Sequence, residues 1–221
     1  MSSTRHRLRF TANVHRKLLH KGTRLLAAVI LSAGASSRMG RPKALLPYRE
    51  GTFLEHLIEV TRHPRIGVTR IVLGAGAEVI RTIAKLDPSV VVLNPEWEKG
   101  QLSSICAGLR SLEGIDTDGI VLCPVDHPLV SARLVSDLVE RFYEDKKAIV
   151  LPTYNGRRGH PAIFSNALFG ELLAAPADKG ARSVVWAHSA DILEVPTDEE
   201  GVVLNLNDPD MLKRAVGPDA V

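Results

Sequence analysis

The sequence predicts an α/β protein with a doubly wound, mostly parallel sheet and helices on both of its faces. Short apolar runs alternate along the chain with helical patterns, which is typical of strands joined by crossover helices. The runs at 25–31 and 119–125 are apolar throughout, and this indicates strands buried on both faces. With 221 residues, 45% of them hydrophobic, the chain is long enough for one sizeable core. The expected architecture is Rossmann-like, with a small β-hairpin insertion near residues 152–164 that overhangs the sheet edge.

The first predicted strand leads directly into a glycine-rich loop, which reads LSAGASSRMGRPK over residues 31–43. Gly34 lets the backbone approach a ligand closely, and Ser36 adds a hydroxyl group. Arg38 and Lys43 bring two cations into the same short segment. Backbone N–H groups, hydroxyls and cations that converge after a strand form phosphate sites. The loop is therefore predicted to bind phosphate, and the alternative is an ordinary strand–helix turn with solvated basic residues.

Two commoner phosphate motifs do not fit this loop. A P-loop needs Gly-Lys-Ser/Thr at its end, whereas Gly40 is followed by Arg-Pro. A dinucleotide fingerprint needs Gly-x-Gly, which Gly34-Ala35-Ser36 lacks. A partial version occurs at Gly74-Ala75-Gly76, where a tight strand–helix turn and a cofactor loop remain alternatives.

The later segments continue the alternation of strand and helix. Thr52 and Glu55 have the spacing of a capping box, which places a helix start at residue 53. Further strands are predicted at 69–73, 89–93, 118–125 and 148–151, and further helices at 77–85, at 101–112, from about 131, from about 182 and at the end of the chain. Asn155-Gly156 is a hairpin signal.

Two polar segments lie where ligands bind in open α/β sheets. Asp126 directly follows the fourth strand, at the sheet edge where such crevices form. Its carboxylate could share Mg²⁺ with substrate phosphates, or could serve as a turn residue before the next helix. Gln101, Ser103 and Ser104 begin a helix, where these side chains either cap the helix or hold a polar ligand.

The loop at 31–43 resembles the signature Leu-x-Ala-Gly-x-Ser-x-Arg-Met-Gly-x-x-Lys of MobA-like nucleotidyltransferases. Further pieces of that family pattern recur at 94–104, 125–128, 157–161, 178–182 and 205–211. Within the superfamily the chain is most similar to the molybdenum cofactor cytidylyltransferases, since Ala33 stands where guanylyltransferases tend to have Gly. The segment Val125-Asp126-His127-Pro128 is nearer to the guanylyltransferase form.

The resemblance implies roles for individual residues. The catalytic residues would be Arg38, Lys43 and Asp126. The nucleotide would be bound by Leu31, Ala33, Gly34, Ser36, Arg38, Lys43, Asn94, Gln101, Ser103 and Ser104. The acceptor would be contacted by His127, Arg158, His160 and Arg182. Mg²⁺ would be held by Asp126 and Asn207, where Asn207 replaces an Asp that is common in relatives and so loses a charge.

The implied reaction moves an NMP, with CTP favoured as its source, onto a phosphorylated acceptor and releases pyrophosphate. The acceptor implied by the resemblance is the molybdenum cofactor, and a molybdoenzyme or its chaperone would be the protein partner. The alternatives are a sugar-1-phosphate or other phospho-acceptor, and a guanylyltransferase that uses GTP. A non-catalytic nucleotide-binding protein and a dinucleotide-dependent oxidoreductase based on Gly74-Ala75-Gly76 are alternatives from other classes.

Charge argues against a nucleic-acid-binding body. Seven of the 28 Lys and Arg residues lie within residues 1–24, which contain no acid, so the rest of the chain has 21 basic and 25 acidic residues. The sequence predicts a basic, disordered N-terminal extension at 1–24, with a transit peptide or an upstream translation start as the alternatives. The resemblance implies a single nucleotidyltransferase domain at 25–221. Cys106 and Cys123 lie in apolar surroundings and are expected to be reduced, in a cytoplasmic protein without a membrane segment.

Overall fold

Strand β1 lies at the centre of an eight-stranded sheet in the computed structural model, which describes residues 25–216. The predicted extension at 1–24 lies outside the described residues. The strands are β1 (Leu25–Ser32), β2 (Pro47–Tyr48), β3 (Gly51–Thr52), β4 (Ile66–Leu73), β5 (Val91–Leu93), β6 (Thr117–Pro124), β7 (Ile149–Tyr154), β8 (Arg157–Arg158), β9 (Ala162–Ser165) and β10 (Ile192–Pro196). The helices are α1 (Phe53–Val60), α2 (Ala77–Ile83), α3 (Gln101–Arg110), α4 (Ala132–Asp145), α5 (Phe169–Leu173), α6 (Arg182–Ala187) and α7 (Pro209–Val216).

The strand order of the main sheet is β10-β7-β9-β6-β1-β4-β5, with β8 paired to β7. β1 runs parallel to both of its neighbours, β4 and β6. The chain passes from β1 outward through β4 to β5 and then returns to form β6 on the other side of β1. The order therefore reverses between β1 and β6, and ligands bind in open α/β sheets at such a switch point.

Helices cover both faces of the sheet, as the sequence predicts. Alternate residues of β1 enter two different cores, with Leu26, Ala28 and Ile30 on one face and Ala27, Val29 and Leu31 on the other. The first core packs against α1 and α4, and the second against α3, α5 and α6. Because seven of the eight residues of β1 are buried, the strand has no solvated face and reads as a continuous apolar run.

Several local predictions are confirmed. The Thr52 hydroxyl accepts a hydrogen bond from the N–H of Glu55, whose carboxylate accepts from the N–H of Thr52 at 2.9 Å, so the capping box is complete. Asn155 and Gly156 both have positive φ and join β7 to β8 as the predicted hairpin. Cys106 and Cys123 are free and buried. Within residues 25–216, no helix has the length and apolarity required to cross a bilayer.

The sheet differs from the expectation in its insertion and its boundaries. The segment after the hairpin does not overhang the sheet edge, because β9 lies inside the sheet, antiparallel to both β6 and β7. β9 is only four residues long, and its apolar Ala-Ile-Phe run directly follows Gly, His and Pro, which are typical of loops. The sequence pattern therefore does not identify it as a strand of the sheet. β5 is shorter than predicted because Pro88–Val90 forms a 3-10 turn that the Asp87 side chain caps. The edge strand β10 was not predicted, since Glu194 and Pro196 interrupt its apolar pattern.

The segment 199–207 packs across the turn that follows β6. The N–H of Leu206 donates to the carbonyl of Asp126 at 2.8 Å, and the N–H of His160 donates to the carbonyl of Val202 at 2.9 Å. Gly201 is buried so closely that a Cβ there would lie 1.7 Å from the carbonyl oxygen of Leu129. Segment 199–207 therefore needs glycine at this point to reach the sheet edge.

We expect Gly201→Ala to destabilise the protein by about 3 kcal/mol, because overpacking against backbone cannot be relieved by a rotamer change. Urea unfolding followed by circular dichroism measures the change. Gly170→Ala is the matched control, since a Cβ at Gly170 meets nothing within 4 Å and lies in a helix. Equal stability of the two variants would contradict this packing argument.

Candidate functional site

The loop after β1 and the turn after β6 meet at the switch point of the sheet. The N–H of Val125 donates to the carbonyl of Leu31 at 2.9 Å, so the ladder between β1 and β6 extends into the two connections. On the other side of β1, the N–H of Ala75 donates to the carbonyl of Ala33, also at 2.9 Å. The start of the predicted phosphate loop is thus held by backbone bonds on both sides.

The loop then turns back on itself. Ser36 has a left-handed conformation with φ of 52°, and Gly40 has φ of 66°. The Ser36 hydroxyl accepts a hydrogen bond from the N–H of Lys43 at 3.0 Å, which closes the loop around seven residues. Gly34 is exposed, and nothing lies within 4 Å of the position that its Cβ would occupy. A ligand can therefore approach the backbone at Gly34 directly.

A cleft of about 220 Å³ opens between this loop, the N-terminus of α3 and the turn after β6. Its walls include eight of the predicted nucleotide-site and metal-site residues. They are Leu31, Ala33, Gly34, Ser36, Lys43, Gln101 and Asp126, with Ser104 as the eighth. Trp97 and Gly100 line the same cleft but are not among the residues that the sequence predicts for it. Both lie in the segment 94–104, where the chain resembles the family pattern, and this resemblance could have identified them as site residues.

Three predicted residues converge at one side of the cleft although they are far apart in sequence. The ammonium group of Lys43 donates a hydrogen bond to Asn207 Oδ1 and lies 3.7 Å from Asp126 Oδ2. The side chains of Lys43 and Asp126 are 12% and 25% exposed, so the contact is shielded but reachable from the cleft. Burial lowers the pKa of Lys43, Asp126 opposes that shift, and Arg38 adds to it. Arg38 is therefore close enough to act on the same site, although its side chain is exposed.

Asn94, Ser103 and Ser104 contact one another. The amide of Asn94 donates to the Ser103 hydroxyl at 2.9 Å and to the Ser104 hydroxyl at 3.0 Å. Asn94 is only 3% exposed and also accepts from the N–H of Glu96. Because Asn94 and Ser104 are buried, these contacts fix the position of the α3 N-terminus. Gln101, the first residue of α3, is exposed and borders the cleft.

Close packing accounts for the partial dinucleotide motif at Gly74-Ala75-Gly76. A Cβ at Gly74 would lie 2.6 Å from both the carbonyl oxygen of Ala33 and the Cβ of Trp97. Gly76 precedes α2 with φ of 66°, in the left-handed region that favours glycine. The two glycines thus allow the loops after β1 and β5 to pack against the loop after β4, as a tight strand–helix turn requires.

His127 and His160 form a pair beside Asp126. Their ring centroids are 4.8 Å apart, and the buried Nδ1 atom of each ring has no hydrogen-bond partner among the described residues. Burial lowers the pKa of His160 to about 4, and His127 and Arg182 contribute in the same direction. Burial also lowers the pKa of His127, against the effect of Asp126. Both rings are therefore neutral near pH 7, and each presents a lone pair or an N–H group rather than a charge.

The remaining predicted acceptor residues occupy different places. Arg182 begins α6 and is near enough to lower the pKa of His160, so it lies close to the histidine pair. Arg158 does not line the cleft, because its guanidinium binds the Glu194 carboxylate on β10 at 2.7–2.8 Å. That partner could not be foreseen, since β10 was not among the predicted strands. The structure thus gives Arg158 a role in joining β8 to the sheet edge.

The oxygen atoms around Lys43 suit a hard divalent cation. Asp126 provides a carboxylate and Asn207 an amide oxygen, and both lie within reach of the same ammonium group. Mg²⁺ is commonly held by one or two protein oxygens together with substrate phosphates. Within residues 25–216, no cluster of three or more His, Cys, Asp or Glu side chains could hold a metal ion. Substrate oxygens would therefore have to supply further ligands.

This architecture defines the class of Rossmann-like α/β proteins that bind ligands at the switch point of a doubly wound sheet. Comparison with known families places the chain more narrowly. It belongs to the family of the MobA-like NTP transferase domain, whose model matches residues 28–192.

Three curated relatives illustrate the range of that family. A probable molybdenum cofactor guanylyltransferase of Bacillus mycoides is 33% identical over 60% of this chain, and the chain spans only 64% of that relative's length. The nicotine blue oxidoreductase of Paenarthrobacter nicotinovorans is 33% identical over 71% of this chain and 79% of the relative. The molybdenum cofactor cytidylyltransferase of Escherichia coli is 25% identical over 82% of this chain and 91% of the relative.

Solved structures support the same fold. The crystal structure of Rv0371c from Mycobacterium tuberculosis has a TM-score of 0.76 and 28% identity, and it covers 88% of this chain and 98% of its own. A second structure of that protein, in complex with manganese, has a TM-score of 0.65 and 28% identity over 89% of this chain and all of its own.

The histidine pair makes folding depend on pH. Between about pH 6.5 and pH 4 the unfolded chain protonates residue 160 while the folded chain keeps it neutral, so stability falls as pH falls through this window. We expect His160→Gln to reduce this loss of stability at low pH, because glutamine does not titrate in this range. Between pH 7 and pH 5, the wild type should lose about 2 kcal/mol more than the variant in urea unfolding. Parallel pH profiles for the two proteins would rule out a buried neutral histidine at this position.

Proposed function

We propose that residues 25–221 form one nucleotidyltransferase domain, which moves an NMP from a nucleoside triphosphate onto a phosphorylated acceptor and releases pyrophosphate. The observation that carries this proposal is the convergence of Lys43, Asp126 and Asn207 beside the loop at 31–43. Membership of the MobA-like NTP transferase family supports it. The proposal extends to the whole domain what the family comparison covers for residues 28–192.

In this mechanism the loop at 31–43 holds the triphosphate. The backbone N–H groups near Gly34 and the cations of Arg38 and Lys43 would balance the charge of the phosphates. The base and ribose would face Gln101, which begins α3, and Ala33, which follows β1 at the start of the loop. Asp126 lines the same cleft, so an acceptor held beside Asp126 would approach the α-phosphorus from that side.

Asp126 and Asn207 would hold Mg²⁺, which offsets the charge that develops on the phosphates when it is bound. A relative that is 28% identical has been solved in complex with manganese, and this supports the use of a divalent cation. A phosphate oxygen of the acceptor is ionised near neutral pH, so its attack on the α-phosphorus needs no general base. The protein's contribution is then to position both reactants and to stabilise the transition state through Lys43 and Arg38.

The acceptor would enter between the histidine pair and α6. His127 and His160 are neutral there and offer hydrogen bonds, while Arg182 offers a positive charge to an acceptor phosphate. We propose the molybdenum cofactor as the acceptor, because both the guanylyltransferase and the cytidylyltransferase relatives are named for it. Sugar-1-phosphates remain the alternative acceptor class.

Ala33 supports CTP as the donor. Its side chain is 4% exposed and lies in the cleft wall, so its methyl group takes space that a glycine would leave to a larger purine. The relatives bear both names, and several of them are guanylyltransferases, which makes GTP the competing donor. Thermal stabilisation by each of four NTPs with Mg²⁺, together with pyrophosphate release, distinguishes the two donors.

A second candidate function is an oxidoreductase, which the similarity to nicotine blue oxidoreductase favours. The glycines at 74 and 76 give it no support, since packing against Trp97 and the start of α2 explains them. An absorbance spectrum and mass spectrum of the purified protein would reveal a bound nicotinamide dinucleotide. Their detection would favour the reductase over the transferase.

Asp126→Asn tests the transferase mechanism at its centre. The variant keeps the shape of the side chain but loses its charge, so we expect turnover with Mg²⁺ to fall by roughly 10²- to 10³-fold. Pyrophosphate release gives the rate, and circular dichroism checks the fold. Asp137→Asn is the matched control, because Asp137 is exposed on α4. Near-normal turnover of Asp126→Asn would remove the metal assignment.

Ala33→Gly tests the choice of base. We expect the ratio of kcat/KM for CTP to that for GTP to fall by roughly tenfold, about what one methyl group contributes to discrimination in a pocket. The same pyrophosphate assay measures both constants. An unchanged ratio, or a wild type that already prefers GTP, would contradict the role given to Ala33.

A further inference from the structure

Lys43 contacts both of the oxygen donors that the proposed metal site uses. Its ammonium group donates to Asn207 Oδ1 and lies 3.7 Å from Asp126 Oδ2. An ammonium group has only donors, so it occupies lone pairs on these oxygens that a cation would need. It also carries a positive charge, which would repel a divalent cation bound to these two oxygen atoms. Lys43 and the metal ion therefore compete for the same two ligands.

We propose that Lys43 acts as a placeholder cation, which keeps Asp126 and Asn207 together and opposes metal binding until a polyphosphate draws its ammonium group into the loop at 31–43. The inference rests on the proposed function, because it takes Asp126 and Asn207 as the metal ligands and a triphosphate as the ligand of the loop. It adds to that function the order in which the nucleotide and the divalent cation bind. The divalent cation binds weakly by itself and tightly once the nucleotide is in place.

The side chain of Lys43 can make this exchange without a change in the backbone. The N–H of Lys43 is fixed by the Ser36 hydroxyl at 3.0 Å, and its carbonyl accepts from the N–H of Leu46 at 3.0 Å. The four-carbon stem beyond Cα is flexible, and its ammonium is a compact charge with three donors. Ser36 and Gly34 border the same cleft as Asp126, so both positions of the ammonium lie in one continuous space.

Charge balance gives the exchange its direction. Beside Asp126 the ammonium neutralises a single carboxylate, whereas a triphosphate in the loop presents several negative charges. Arg38 is also close enough to disfavour the charge of Lys43, and a polyphosphate between the two cations would remove that repulsion. Since the coupling is reciprocal, a bound divalent cation should tighten nucleotide binding by the same factor.

Titration with Mn²⁺, followed by the electron paramagnetic resonance signal of the free ion, tests the inference without any turnover. We expect Lys43→Met, in the absence of nucleotide, to bind Mn²⁺ roughly tenfold more tightly than the wild type, because one repelling charge has been removed. Lys99→Met is the matched control, since Lys99 is exposed and pairs with Glu96. It should leave the affinity for Mn²⁺ unchanged. Lys43→Gln provides a second neutral variant, and circular dichroism verifies the fold of each.

The outcomes separate this inference from the proposed function. Equal or weaker Mn²⁺ binding by both neutral variants, with binding still lost in Asp126→Asn, would leave the metal site in place and overturn the placeholder role. Mn²⁺ binding that is the same in Asp126→Asn and the wild type would overturn both the metal assignment and the placeholder. Tighter binding in Lys43→Met that is lost again in the double variant with Asp126→Asn supports the inference.

Discussion

The parallel pairing of β1 with β6 is the constraint on which the rest of this structure depends. It brings the end of an N-terminal strand next to the end of a strand about ninety residues later in the chain, and the bond from Val125 to the carbonyl of Leu31 carries the pairing into the loops. Because parallel strands present their carboxyl ends at one edge, Lys43 and Asp126 emerge on the same side of the sheet. No local interaction could bring them together.

A second constraint comes from the segment 199–207, which closes the site from above the turn after β6. Its backbone bonds to Asp126 and His160 place Asn207 beside Lys43 and bury the histidine pair. The tight contact at Gly201 allows no side chain. The same packing that stabilises this corner of the fold therefore places the Asn207 amide oxygen beside Lys43 and the two imidazole rings against each other. Packing and chemistry depend here on the same few residues.

The sequence and the structure agree best where a signal is local. The first strand, the capping box at Thr52 and the turn at Asn155-Gly156 are each specified within a few residues, and each forms as predicted. Contacts with remote partners cannot be read from the sequence in this way. Arg158 pairs with Glu194 on an edge strand whose polar residues interrupt its apolar pattern, and Asn94 is buried against Ser103 and Ser104. The acceptor contact of Arg158 and the nucleotide contact of Asn94 stay predictions.

The α/β alternation, the glycine-rich turn after the first strand and the identity of the ionisable groups follow from the sequence, because strand burial, backbone turns and charge are properties of short segments. The tertiary structure alone decided that β9 enters the sheet, that Lys43 touches both Asp126 and Asn207, and that His127 and His160 share a buried corner. These contacts join residues separated by tens to more than a hundred positions. Such contacts are set by how sheets and loops pack in three dimensions, and no periodicity along the chain encodes them.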